Sequence, residues 1–513
     1  MLLALVLASA GCPRDPVPDP DPQPEPSPAQ KTVKLRKEAQ KEALGRLAPK
    51  LAALAALEDP VTTALRNGSA PRMPPLQAND RAALRSALEA ADREATGLTP
   101  RLLEPADRVI AMTSRFAIDR ARDAYVRRAP WADDPTWVTA EAQRVVEALE
   151  LSARRSGDCM HCDVSLPHLA DTLPVAAAGL QRVSKARANA AVLDARALAG
   201  RVRLLPGQTD TSAAVALEAF AVAVEGQLAS ANEPDRLGKN VLQRQLEVEE
   251  NVGQSATELF KSLGSTVPKL AAMVEKRMVP ALQPPTAVTA ARCEAAWTDI
   301  APVLEAHKTL STEGFGCDSF VAGLGTATLD DVDLRIALVD VALVGPLRSS
   351  AHQALPEVLA SVGGRVARGS QAHTLRSALL LGAPALEPAA ARALRGELDA
   401  ACLAAAALWV HGELGDDAAL AQRLDTPCPL ETSEYISRAE ARPRQALEGI
   451  ALSRVSQGPA GVVPLDKLWW LPAGLIDDVA MPPGDDDRPS PVRGTVEPLQ
   501  ARPPTQGAQD PAP

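Results

Sequence analysis

Cys159 and Cys162 stand three positions apart in Ser156-Gly-Asp-Cys-Met-His-Cys-Asp163, with His161 between them. A CxxC pair closes a small, reducible disulfide, and its geometry lowers the pKa of one thiol. A histidine beside the second sulfur adds to that shift. With His161 and His168, the two sulfurs are also the atom types that bind zinc. Structural zinc, however, uses two separated ligand pairs, and adjacent His161 and Cys162 fit one tetrahedral site poorly. No metal is therefore expected. The reading adopted is a structural disulfide, Cys159–Cys162, that tightens a loop between two helices. Thiol-disulfide redox chemistry at the same pair is the alternative.

Three resemblances bear on this loop. The C-x-H-C spelling resembles the thiol-disulfide oxidants of the bacterial periplasm, which implies a thioredoxin fold; the sequence has no strand pattern to supply one. The stretch from Glu147 to His168 also resembles the alkylhydroperoxidase D family, which is all-α. That family carries a Glu twelve residues before its CxxC, matched by Glu147, and a His four residues after it, where this chain has Leu166. The resemblance implies a redox role for Cys159 and Cys162, with Glu147 and His161 assisting. Four-helix cytochromes of the c-prime type end in CxxCH; Asp163 holds the histidine position here, so no haem or other cofactor is expected.

The chain has seven cysteines: Cys12, Cys159, Cys162, Cys293, Cys317, Cys402 and Cys428. An odd thiol in an exported protein is a liability. Cys293 and Cys402 each lie on an apolar helical stripe and are followed by a loop cysteine 24 or 26 residues on. The spacing predicts two local disulfides, Cys293–Cys317 and Cys402–Cys428, each worth about 3 kcal/mol by loop entropy. Cys12 is then left over. It follows an apolar run, MLLALVLASA, too short to span a bilayer but the length of an export signal. Ser9-Ala10-Gly11-Cys12 resembles the lipobox of bacterial lipoproteins, in which the cysteine becomes the lipidated first residue. Ala8-Ser9-Ala10 also fits ordinary signal peptidase, the alternative that releases a soluble protein.

Residues 1–11 are thus read as signal and 12–30 as lipidated Cys12 and tether. Alternating proline and acid favours extended polyproline II, a spacer between lipid and fold. Pro13 replaces the aspartate that holds many lipoproteins in the inner membrane. The resemblance then implies a lipid-anchored protein of the bacterial envelope, at the outer membrane.

Hydrophobic residues make up 46% of 513, but aromatics only 3%, so the core must be built from Ala, Leu and Val. These pack helices closely. Net charge is −10 with no dense basic patch, which argues against nucleic acid. No second run of eighteen apolar residues is read, so no further membrane span is expected.

Periodicity favours helix throughout. Helices are expected over Lys31–Leu57 (kinked or split at Pro49), Asn79 or Asp80 to Ala95, from Pro105, and from Asp133-Asp134-Pro135, where caps precede proline. Pro60–Gln77 reads as loop. Pro174–Leu204, Ser212–Ala231 and Pro234–Leu263 follow. Pro284-Pro285 reads as a hinge between two all-α, Ala/Leu-rich domains, 31–283 and 284–475. The second half gives Thr286–Thr309, Leu329–Val344 with a Thr328/Asp331 capping box, Pro356–Val366, Leu386–His411, Asp416–Leu424 and Glu431–Val455. Residues 476–513 read as a disordered tail.

His411-Gly-Glu413 reads as a solvated helix end. Asp330, Asp331 and Asp333 read as an acidic first turn. Trp469-Trp470 reads as a core plug or a partner patch. No HExxH, GxSxG, P-loop or GxGxxG occurs. The expected function is a membrane-anchored envelope lipoprotein with a structural or protein-interaction role, bound to the membrane by lipid and to an envelope protein partner. A thiol redox protein and a helical carrier of a small ligand are the alternatives.

Overall fold

A computed structural model describes residues 28–450, apart from 100–101, 104, 208–210, 250–253, 278–283, 307–314, 326, 350–385 and 448–449. The expected signal, Cys12, the tether up to residue 27, the Pro356–Val366 helix, Trp469-Trp470 and the tail lie outside these residues.

The fold is all-α. Nine helices lead from the N-terminal side: α1 (Pro28–Glu58), α2 (Pro60–Asn67), α3 (Ala78–Thr96), α4 (Pro105–Arg122), α5 (Pro130–Asp133), α6 (Pro135–Ser156), α7 (Cys162–Gly179), α8 (Lys185–Arg203) and α9 (Ser212–Gln227). A π-helical turn, Asp123–Arg128, closes α4. Then come α10 (Lys239–Glu249), α11 (Ala256–Glu275), α12 (Ala290–Ala306), α13 (Cys317–Leu324), α14 (Asp331–Ser349), α15 (Glu387–His411), α16 (Asp417–Leu424), α17 (Thr432–Ala441) and α18 (Pro443–Ala446). Among the described residues the strands are two short ones, Thr286–Ala287 and Thr328–Leu329, paired antiparallel.

Local chemistry explains most starts. Asp134 caps α6 by accepting from the Thr136 N–H, with Pro135 in the first turn. Ser184 caps α8 through Arg187 N–H. Ser255 and Glu258 form a reciprocal capping box on α11.

Several expectations need correction. Pro60 opens a helix, because proline suits the first helical position. α3 begins at Ala78 after Gln77, which makes no side-chain cap bond. The expected Pro174–Leu204 helix is two. α7 starts at Cys162 and keeps Pro167 and Pro174 inside it. Burial of Leu166, Leu169, Leu173 and Ala176 outweighs the missing donors. Pro234–Leu263 divides into α10 and α11. Thr286 and Thr328 belong to the strand pair, and Asp330 caps α14 instead, accepting from Val332 and Asp333 N–H at 3.0 and 2.7 Å. Glu431–Val455 is interrupted at Arg442.

Buried side chains form three clusters. The first joins α1, α3, α4 and α6–α9, with the Trp131 ring in contact with both Tyr125 and Trp137. The second joins α10 and α11 to the C-terminal half of α15, with α16 and α17. The third joins α12, α13 and α14 to the first turns of α15. α15 therefore runs through two cores, and the second cluster draws on helices from both sides of Pro284-Pro285.

Among the described residues, one helical segment, Ser212–Ser230, is long and apolar enough to cross a membrane by length and composition, unlike the sequence expectation. In the fold it packs against α7 and α8, burying Leu217, Phe220, Ala221 and Val224. Its Glu218 and Glu225 pair with Arg203 and Arg196 of α8.

The CxxC loop and the candidate functional site

The loop is held between the end of α6 and the start of α7. Gly157 adopts φ +80°, a left-handed conformation that lets the chain leave α6. Ser156 Oγ donates to the Ser152 or the Asp158 carbonyl, at 2.8 and 2.7 Å. A third helix backs the loop. Gly323 of α13 lies against Ala153 of α6 so closely that a Cβ would fall 2.0 Å from the Ala153 carbonyl oxygen.

Cys159 and Cys162 form a disulfide with Cα atoms 5.4 Å apart. The two sulfurs are not equivalent. Cys162 is the first residue of α7 and is 5% exposed, whereas Cys159 is half-buried in the loop. Cys159 N–H donates to Asp158 Oδ1 at 2.8 Å. Met160, between them, is exposed.

The two expected assistants are engaged elsewhere. His161 Nε2 lies 3.1 Å from the Gly68 carbonyl, which only accepts, so Nε2 carries the hydrogen. This ties the loop to the turn after α2. Glu147 accepts from Gln143 Nε2 at 2.6 Å and lies 3.9 Å from Arg201. Its carboxylate faces the α6–α8 seam. His168 sits further along α7, with its ring beside Thr172 Oγ1 at 3.3 Å; burial, then Arg72, hold its pKa below the usual histidine value. Among the described residues no group of three His, Cys, Asp or Glu is placed to hold a metal.

One neighbour escaped the sequence reading. Ser165, one turn after Cys162 on α7, is fully buried and its Oγ has no hydrogen-bond partner. A serine three residues after a cysteine is too common a pattern to stand out; only its burial gives it meaning.

The other disulfides pin helices to return segments. Cys293 of α12 joins Cys317, the first residue of α13, with Cα atoms 5.6 Å apart. Cys402 of α15 joins Cys428 after α16, at 6.0 Å. Cys293 and Cys402 are wholly buried.

A second polar centre is a buried charge network that the sequence did not reveal. Arg120 donates to both carboxylate oxygens of Glu58 at 2.7 and 2.8 Å, and both residues are buried. Arg144 bridges Asp59 and Glu141 at 2.6 and 3.0 Å. Burial opposes the charge on Arg144, but the two carboxylates outweigh it and hold its pKa above the usual value. Arg244 of α10 donates to Asp123 in the π-helical turn. Partners lie up to 121 residues apart in sequence, so no local pattern signals them.

His411 corrects another expectation. It is not a solvated turn but fully buried. Leu237 N–H donates to its Nδ1 at 3.2 Å, and its Nε2 donates to the Ala439 carbonyl at 3.1 Å. Burial pushes its pKa down to about 4. Asp331 and Asp333 stand in the first turn of α14 as expected, and the carboxylates of Asp333 and the capping Asp330 also receive Arg392 of α15. A cleft of about 230 Å³ lies between α3 and α4, lined by Asp92, Thr96, Arg115 and Asp119 among others. Its walls carry no residue arrangement that points to a reaction.

No family model matches the chain, and no curated protein matches it. Solved structures similar to it include a candidate lipoprotein of unknown function from Shewanella oneidensis, with TM-score 0.42 and 10% identity over 86% of this chain and 98% of that one. Another is a candidate lipoprotein from Colwellia psychrerythraea, with TM-score 0.44 and 12% identity over 85% of this chain and 98% of that one. Similarity at this level carries no argument about activity.

Proposed function

We propose that this protein is a lipid-anchored lipoprotein of the bacterial envelope, with a structural or protein-interaction role. The observation that carries the reading is the cysteine arrangement. Six of the seven cysteines stand in three disulfides within the helical body, and the seventh is Cys12, behind Ser9-Ala10-Gly11. Three disulfides suit an oxidising compartment outside the cytosol. Residues 13–27, rich in proline and acid, supply the reach between a lipidated Cys12 and α1. Pro13, in place of aspartate, favours the outer membrane. A body whose buried charges pair with one another supports a scaffold or a binding partner.

The test is metabolic labelling with a fatty acid, followed by membrane fractionation. The wild type is expected to carry label and to sediment with membranes. Cys12→Ser is expected to lose both properties and to keep its three disulfides. Unlabelled, soluble wild-type protein would overturn the reading.

A further inference from the structure

The geometry points to Cys159–Cys162 as a reducible disulfide with a fixed polarity, in which an incoming thiolate attacks Cys159 and Cys162 leaves as a thiolate held by the α7 N-terminus and Ser165. This inference stands on the loop itself and does not depend on lipid anchoring.

Access sets which sulfur is attacked. Cys162 is 5% exposed, while Cys159 is half-buried beside exposed Met160. An external thiolate therefore reaches Cys159. The environment sets which sulfur leaves. Cys162 is the first residue of an 18-residue helix, where the macrodipole favours a negative charge. Helical spacing puts Ser165, three residues on, on the same face of α7 as Cys162. Its hydroxyl is fully buried and unpartnered in the oxidised protein. A buried donor without a partner is costly. A thiolate at Cys162 gives it one. Cys159 lacks such support: its own N–H is taken by Asp158 Oδ1, and that carboxylate disfavours a second negative charge beside it. Asp163, next to Cys162, is exposed, so solvent screens its opposing charge.

The step balances with a thiol as co-reactant. A thiolate RS⁻ forms a bond to Cys159 Sγ. The Cys159–Cys162 sulfur bond breaks, and its electron pair stays on Cys162 as thiolate. A second RS⁻ attacks the R-bearing sulfur, releases RSSR and leaves Cys159 as thiolate; protons from the two thiols complete the dithiol. Two thiols are oxidised and one protein disulfide is reduced. The reverse sequence oxidises a dithiol.

Glutathione serves as the probe. The full chain is exposed to limiting glutathione, quenched with an alkylating agent and mapped by mass spectrometry. Cys159–Cys162 is expected to open before Cys293–Cys317 and Cys402–Cys428, with glutathione on Cys159 and the alkyl group on Cys162. Ser165→Ala is expected to slow opening about two- to tenfold, the worth of one hydrogen bond, and to shift the Cys162 thiolate absorbance to higher pH. Its thermal midpoint should not fall, because the change removes an unsatisfied group. Adduct on Cys162, opening no faster than the other two disulfides, or a Ser165→Ala variant identical to wild type in rate and titration would each overturn the proposal.

Discussion

Arg442 donates two hydrogen bonds to Asp194, at 3.0 and 2.6 Å, across 248 residues of sequence. This ion pair fastens the segment between α17 and α18 onto α8, a helix of the first buried cluster. α17 itself packs on α8. Part-exposed as it is, the pair contributes modestly. Asp194→Asn is expected to lower stability by about 0.5–1 kcal/mol and to increase hydrogen exchange in α17 and α18 more than elsewhere, read peptide by peptide.

The buried Arg120–Glu58 pair is a stronger case. Removing one partner leaves an uncompensated buried charge, at a cost of about 3–5 kcal/mol. Arg120→Met should show that loss in denaturant titration. The double variant Arg120→Met/Glu58→Leu should recover most of it, since the stranded carboxylate is gone. A double variant as unstable as the single would contradict the pairing.

Gly323 has no room for a side chain. A Cβ would meet Ala153 backbone atoms at 2.0 and 2.3 Å, so Gly323→Ala must force α13 away from α6. A loss of about 1–3 kcal/mol is expected from such overpacking. Gly200, on α8 with nothing within 4 Å of its Cβ position, is the control. Gly200→Ala should stabilise by about 0.5–1 kcal/mol. Equal effects at the two glycines would argue against the close crossing.

His411 makes stability depend on pH. Its folded pKa is pushed from 6.5 down to about 4, chiefly by burial. Between those values the unfolded chain takes a proton that the folded chain refuses. The stabilisation is therefore complete above pH 6.5 and is lost as pH falls toward about 4. The full shift is worth about 3 kcal/mol. Other groups also titrate in acid, so the comparison is with His411→Gln. That variant should show a shallower loss of stability over this window; identical slopes would remove His411 from the account.

The helical class was legible because a core of Ala, Leu and Val with helical spacing admits little else. Starts with local chemistry were legible too: Asp134 before Pro135 caps α6 at the expected place. What the sequence hid is non-local. Pro167 removes a backbone donor inside α7, yet buried leucines on the same face keep the helix intact through it. His411 looks like a solvated turn until Leu237 and Ala439 arrive from other segments. In the candidate site, the CxxC spacing marks the loop itself. The contacts around it, from Gly68, Ala153 and Gly323, come from three separate helix ends and carry no signature in the stretch from Ser156 to Asp163.

The proposed lipoprotein rests on Cys12 as the lipid-bearing residue and on a body closed by the other six cysteines. The most direct measurement is the state of every cysteine in protein purified from membranes, by trapping free thiols, reducing, trapping again with a second reagent and reading the peptides by mass. The expected result is an N-terminal, acylated Cys12 with linkages Cys159–Cys162, Cys293–Cys317 and Cys402–Cys428. An unmodified Cys12, or a Cys12 in disulfide with one of the six, would contradict it.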